Sequence, residues 1–262
     1  AVLYLAVFPM SLFLQAVYSE SLYLALALGA FVLAERGRFL GAGAVAGLAL
    51  LTRAAGFALL PALAVMAWRS ADRRGALLRL AVAPLLFLAY PLVLWAQIGK
   101  PLELFHAQEV VWRRHVSWAG PLGGLWDGLR AGWAGVRQLA SGSHTHAYWS
   151  AVTDTDPLRA AALNLQQLGF ALLALALGLY AWRRFGAPYG LFSLVSLAIP
   201  LSVPADRWPL LSMPRFTLAI FPLFLALAAL GARPRVHTAI VSASAVLLGV
   251  SVAQWALWQW VA

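Results

Sequence analysis

The chain of 262 residues is 63% hydrophobic and only 11% charged, with a mean hydropathy of +0.80. Soluble domains are roughly half apolar and a quarter charged, so this composition excludes an ordinary soluble protein. The net charge of +10 comes from short Lys and Arg clusters between apolar runs. That placement is typical of topology signals beside a membrane and excludes a basic nucleic-acid-binding face. There is no cysteine, so neither disulfides nor thiolate metal ligands are available.

Apolar segments recur along the whole chain, and several approach the roughly 20 residues that cross ~30 Å of hydrocarbon. They predict an all-α fold, a polytopic transmembrane helix bundle. Ala1 lies inside an apolar stretch without a Met or a basic leader, which indicates a fragment truncated at its N-terminus with an incomplete first segment. The predicted segments are 1–14, 21–34, 39–52, 55–68, 79–98, 160–181, 188–204, 214–231 and 238–259.

Arginine placement predicts which connections face the cytoplasm. Putting the compact basic connections inside makes every segment alternate correctly and leaves a long 99–159 loop outside. This divides the chain into an N-terminal transmembrane part (1–98), an external Trp- and Arg-rich loop (99–159) and a C-terminal transmembrane part (160–262). The compact basic connections carry Arg36 and Arg38, Arg69, Arg73, Arg74 and Arg79, Arg183 and Arg184, and Arg233 and Arg235.

The stretch 39–68 can be one helix or a hairpin of two short ones. A single helix would measure roughly 45 Å and would place one basic connection on the wrong side. We therefore predict a hairpin that turns at Thr52–Arg53, with Arg53 near the outer surface and within protein.

The long loop contains a pattern typical of an amphipathic helix. Apolar residues at helical spacing are interleaved with arginines, and Trp and Arg both favour the headgroup level of a bilayer. The stripe fits membrane anchoring and lining of a substrate channel equally well, and the two can coexist. It comprises Leu122, Leu125, Trp126, Leu129, Trp133 and Val136.

Ionisable residues beside membrane segments are candidates for function. Those on the predicted outer side include arginines, whose guanidinium matches phosphate oxygens, although each arginine can instead snorkel or cap a helix. His144 and His146 lie near Asp154 and Asp156, but without a fixed third ligand they predict no metal site. The candidate binding residues are Glu20, Arg53, His106, Arg113, Arg114 and Arg215.

Several motifs resemble, in order and spacing along most of the chain, those of the PIG-V family. Its members include bacterial relatives of the second mannosyltransferase of GPI-anchor assembly. The matching motifs are Phe8–Leu24 (FPMSLFLQAVYSESLYL), Arg36–Arg38, Gly47–Arg53 (GLALLTR) with Gly56 and Leu60–Leu63 (LPAL), Gly99–Leu102 (GKPL) with His106–Gln108 and Trp112, and Met213–Phe216 (MPRF) with Phe221–Phe224 (FPLF).

The resemblance implies a GT-C type glycosyltransferase in a bacterial plasma membrane, working on the non-cytoplasmic face. It would move a hexose, mannose in this family, from a polyprenyl-phosphate co-substrate to a glycan or glycolipid acceptor. No other cofactor and no metal is implied. The expected catalytic carboxylate would lie before Ala1, so no residue here is assigned as general base. Arg215 and Arg53 would stabilise the lipid phosphate, with Arg113 or Arg114 in reserve, and Glu20 would bind sugar or acceptor.

Two other classes remain open. A multi-span transporter or lipid flippase would carry related halves and sites near the membrane midplane, and no convincing internal repeat is present. A non-catalytic membrane scaffold is favoured only if no outer-loop carboxylate precedes the chain.

Overall fold

The computed structural model describes residues 1–259 and 261, without the side chains of residues 104 and 105. Throughout these residues the regular structure is helical, and strand-like pairing is confined to an isolated bridge between Arg114 and Ala205. This confirms the all-α prediction. The helices are α1 (Val2–Ala6), α2 (Glu20–Glu35), α3 (Phe39–Thr52), α4 (Leu59–Trp68), α5 (Arg73–Leu80), α6 (Val82–Phe87), α7 (Ala89–Ile98), α8 (Glu103–Trp112), α9 (Pro121–Ser141), α10 (Pro157–Phe185), α11 (Ala187–Leu201), α12 (Met213–Leu218), α13 (Phe221–Leu230) and α14 (Pro234–Ala256).

In the part of the chain that the structure describes, three helical stretches are long and apolar enough to cross a membrane. They are Arg73–Ile98, which joins α5 to α7, then α10 and α14, with 26, 29 and 23 residues. Each exceeds the roughly 20 residues that a span needs. The apolar helices Phe39–Thr52, Ala54–Trp68, Ala187–Leu201 and Phe221–Leu230 are shorter than that length. The structure thus confirms a membrane-protein tendency.

The chain forms two compact units. Within the described residues, the first unit comprises 1–101, 175–196 and 218–259 with residue 261, and the second comprises 102–174 and 197–217. In the first unit α3 packs closely on α5 and α6. A Cβ on Gly43 would stand 2.9 Å from the Arg79 carbonyl oxygen, and one on Gly47 would stand 2.8 Å from Leu86. Small residues allow this approach of helix backbones, as is common between membrane helices.

The predicted break between the two short helices is present in the first unit. α3 ends at Thr52, Arg53 is extended with φ −156°, and residues 54–58 form a 3₁₀ turn before α4. Gly56 lies against Ala49 and Leu50, where a Cβ would come within 2.7 Å of backbone atoms. A single helix through 39–68 is therefore ruled out.

In the second unit the stretch predicted as a long loop is largely helical. It contains α8 and α9, and α9 coincides with the predicted amphipathic helix. Its packed face is made of small residues and Gln138, while the large apolar residues of the predicted stripe point outward or lie half-buried. The physical reason is the glycine spacing along α9, which lets neighbouring segments approach its backbone.

Candidate functional site

A buried ion pair in the first unit joins two predicted site residues. Glu20 is the first residue of α2, where the partial positive charge of a helix N-terminus favours a carboxylate. Arg53 follows α3, and its Nη1 lies 2.5 Å from Glu20 Oε1. The side chains are 1% and 12% exposed. One turn further along α2, the Tyr23 hydroxyl donates a 3.0 Å hydrogen bond to the Ala55 carbonyl, which fixes α2 against the segment after Arg53.

A second cluster lies in the second unit and contains two arginines, Arg114 and Arg215. Arg114 Nη1 donates to the Val203 carbonyl and its Nη2 donates to the Leu211 carbonyl, each at 2.9 Å. The guanidinium carbons of Arg114 and Arg215 lie 5.7 Å and 5.9 Å from the Phe216 ring centroid. Both cations therefore share one aromatic partner, an arrangement that stabilises guanidinium groups.

The backbone explains why Arg114, rather than its neighbour, takes this position. Arg113 closes α8 in the left-handed region with φ 48°, and the chain turns there. The next residues run antiparallel to 202–206. Asp206 N–H donates to the Arg113 carbonyl at 3.1 Å, and His115 N–H donates to the Pro204 carbonyl at 3.1 Å. Arg114 is thereby directed at Val203 and Leu211, while the Arg113 side chain is exposed.

Two guanidinium groups of like charge lie close together in this cluster, and that of Arg114 is partly buried. Burial, and to a lesser extent the nearby charge of Arg215, lowers the pKa of Arg114 to about 10. The group still carries its proton at neutral pH, so two positive charges stand close together. Such a pair attracts an anion, and two guanidinium groups match the oxygens of a phosphate.

The structure places the predicted site residues in separate groups. Glu20 pairs with Arg53 in the first unit, and Arg114 with Arg215 forms the cluster of the second unit. His106 lies exposed on α8. The sequence reasoning missed the carbonyl partners of Arg114 and the contact between His115 and Asp206, whose Nδ1 and Oδ1 are 2.9 Å apart. A backbone carbonyl can accept a hydrogen bond whatever its side chain is, so residue types do not predict these partners of Arg114.

The segment after α9 is tied down by polar contacts. The buried Gln138 amide donates to the carbonyls of Ser143 and His146, and its oxygen accepts from Tyr148 N–H. His144 pairs with Asp156 at 2.6 Å. Across residues 1–259 and 261, His, Asp and Glu side chains nowhere gather in the threes that a metal ion would need.

Asp154 and Arg207 form an ion pair that affects the titration of the Asp154 carboxyl. The hydrogen bond from Arg207 holds the pKa of the Asp154 carboxyl below its ordinary value. A carboxyl pKa depressed in this way means that the contact persists at neutral pH and is lost as pH falls through the lowered value. We expect Arg207→Gln to raise the Asp154 pKa toward the ordinary value of an aspartate. The Asp154 pKa is measured from the pH dependence of the carboxyl ¹³C chemical shifts in protein labelled at aspartate.

Arg130→Gln is the control for that titration, because Arg130 pairs instead with Asp127, at 3.6 Å. The Arg130→Gln variant should leave the titration curve of Asp154 unchanged. An Asp154 curve that is the same with and without Arg207 would show that the ion pair does not form.

Comparison with known proteins gives no match to any family model, any curated protein or any solved structure.

Proposed function

We propose that the chain belongs to a membrane-embedded glycosyltransferase. The enzyme would move a hexose from a polyprenyl-phosphate donor to a glycan or glycolipid acceptor on the non-cytoplasmic face of a bacterial plasma membrane. The sugar would be mannose, as the resemblance to the PIG-V family implies. The observation that carries the proposal is the Arg114–Arg215 cluster, two cations close to one ring, of which Arg114 is held by two backbone carbonyls.

The chemistry of the donor explains why such a cluster is useful. In an inverting transfer the acceptor oxygen forms a bond to the anomeric carbon while the bond to the phosphate oxygen breaks. The acceptor proton goes to a carboxylate, and the lipid phosphate leaves with the electron pair. Fixed cations stabilise the charge that develops on that phosphate without any reorganisation. The two carbonyl contacts use two of the five N–H donors of Arg114.

The roles of the two arginines differ in this proposal. Arg114 is anchored by Val203 and Leu211 and positions the cluster, whereas Arg215 in the first turn of α12 supplies the second cation. The Glu20–Arg53 pair of the first unit would bind sugar or acceptor and phosphate, as the resemblance implies.

Arginine substitution in the complete gene product tests the proposal. We expect Arg215→Ala to lower transfer of radiolabelled sugar from polyprenyl-phosphate mannose about a hundredfold, the loss typical when one fixed donor to a developing charge is removed. Arg215→Lys should lose less, because it keeps the charge but not the planar fork. Transfer is assayed on isolated membranes with equal amounts of folded protein.

Arg69→Ala is the matched control, since Arg69 is an exposed residue just after α4. Its transfer rate should equal that of the unmodified protein. Undiminished transfer by Arg215→Ala would exclude the role given to Arg215. Movement of intact donor lipid across vesicles, without any sugar transfer, would favour the flippase instead.

A further inference from the structure

Helix α9 presents an apolar face that the rest of the second unit does not cover. Leu122, Trp126 and Trp133 are 71%, 63% and 66% exposed. Leu129 and Val136 lie on the same side of the helix and are also exposed. Because i, i+3, i+4 and i+7 positions share a helix face, these residues form one continuous stripe along most of α9.

The opposite face is fixed by close backbone packing. A Cβ on Gly124 would lie 2.0 Å from the Leu201 carbonyl oxygen, and one on Gly135 would lie 3.1 Å from the Ala161 carbonyl oxygen. A Cβ on Gly128 would lie 2.5 Å from the Leu210 side chain, and one on Gly132 would lie 2.4 Å from the Leu168 side chain. The helix therefore cannot rotate to bury its large residues without losing these contacts. The exposure of the stripe is therefore a consequence of how α9 packs in the second unit.

Charge and position identify what covers the stripe. Arg130 and Arg137 lie along one edge of it, and the guanidinium of Arg137 stacks 4.5 Å from the Tyr148 ring centroid. Gly132 and Gly135 pack on residues 161–168, which belong to α10, a helix long and apolar enough to cross a membrane. A Trp-rich apolar stripe with arginines at its edge, beside such a helix, fits the boundary between acyl chains and anionic headgroups.

We propose that α9 lies in the plane of that boundary, with its Leu and Trp stripe among the acyl chains of an anionic bilayer. Arg130 and Arg137 would contact the lipid phosphates. The occupant is thus the bilayer, not a second copy of the chain or a soluble protein. The inference does not depend on sugar transfer, because it follows from the packing of α9, its arginines and its neighbour α10.

Spin labelling tests this directly, since a chain without cysteine has no background label. Leu129→Cys and Trp133→Cys carry a nitroxide on the stripe, and Ser150→Cys carries it on the exposed polar segment after α9. The labelled full chain is placed in nanodiscs of equimolar phosphatidylcholine and phosphatidylglycerol. We expect oxygen to reach the two stripe labels more readily than a water-soluble nickel chelate does, at a depth of about 5–10 Å. The Ser150 label should show the reverse preference.

Each other outcome overturns the proposal. Free access of the nickel chelate to positions 129 and 133 would place the stripe in water. Exclusion of both reagents would place it against protein, and dipolar coupling between labels would identify a second copy. In pure phosphatidylcholine the labels should lie shallower, and Arg130→Gln should reduce the difference between the two lipids. An identical depth in both lipids would refute the role of the anionic headgroups.

Discussion

Replacing Arg53 with alanine is expected to lower the free energy of unfolding by about 3–5 kcal/mol. Glu20 is almost fully buried, and the substitution removes the cation that lies 2.5 Å from its carboxylate. A buried charge that loses its partner keeps its desolvation cost without the compensating attraction. The effect should therefore be much larger than that of an exposed arginine. Denaturant titration in mixed micelles, followed by circular dichroism, gives the free energy.

Two further variants separate the ion pair from other effects of the substitution. Glu20→Gln combined with Arg53→Met removes both charges while keeping similar volumes, and it should regain most of the lost stability. Arg69→Ala, at an exposed position, should stay within about 0.5 kcal/mol of the unmodified protein. If Arg53→Ala costs no more than Arg69→Ala, the pair does not stabilise the fold. If the double variant is as unstable as the single one, the loss does not come from an unpaired buried charge.

The same variants bear on function. If Glu20 and Arg53 bind sugar and phosphate as we propose, the double variant should regain stability but not transfer activity. A double variant that regains both would assign the pair to folding alone. This outcome would not change the role proposed for the Arg114–Arg215 cluster, because that cluster belongs to the second unit and rests on its own contacts.

Sequence periodicity and charge placement predicted the helices better than they predicted the contacts. The break at Arg53 follows from the membrane, since one continuous helix would conflict with the sidedness of the basic connections. Helix α9 follows from the spacing of its Leu and Trp residues. Which side of α9 is packed did not follow, because large residues usually mark the core side. Here glycines make the packed side, as they do between membrane helices.

The contacts of the candidate site were also only partly predictable from the sequence. Arg113 and Arg114 are adjacent and chemically identical, so their sequence positions give no reason to prefer one. The left-handed backbone at Arg113 decides between them, and a non-glycine residue in that conformation is not predictable from composition. Glu20 and Arg53 were both predicted as ligands, but their direct pairing was missed. Opposite charges at the ends of adjacent apolar helices were the available signal.

Replacing Gly124 with leucine is expected to destabilise the second unit by about 3 kcal/mol or more, at or beyond the upper end for an overpacked core. The first carbon of the new side chain would stand 2.0 Å from the Leu201 carbonyl oxygen. That neighbour is backbone, so no rotamer change can relieve the clash and α9 or the end of α11 has to move. Leu201 lies two residues before Val203, whose carbonyl holds Arg114. The arginine cluster should therefore be displaced as well.

Gly169→Leu provides the matched control, since a Cβ on this glycine of α10 meets nothing within 4 Å. It should be neutral or should stabilise the helix by up to about 1 kcal/mol, the difference between glycine and a good helix former. Thermal unfolding midpoints in detergent measure both variants, and transfer assays at equal folded protein measure the displacement of Arg114. We expect Gly124→Leu to lose activity even in its folded fraction, whereas Gly169→Leu keeps it. Equal midpoints for the two variants would mean that α9 does not pack through Gly124, and the outward orientation of its Trp stripe would fall with that contact.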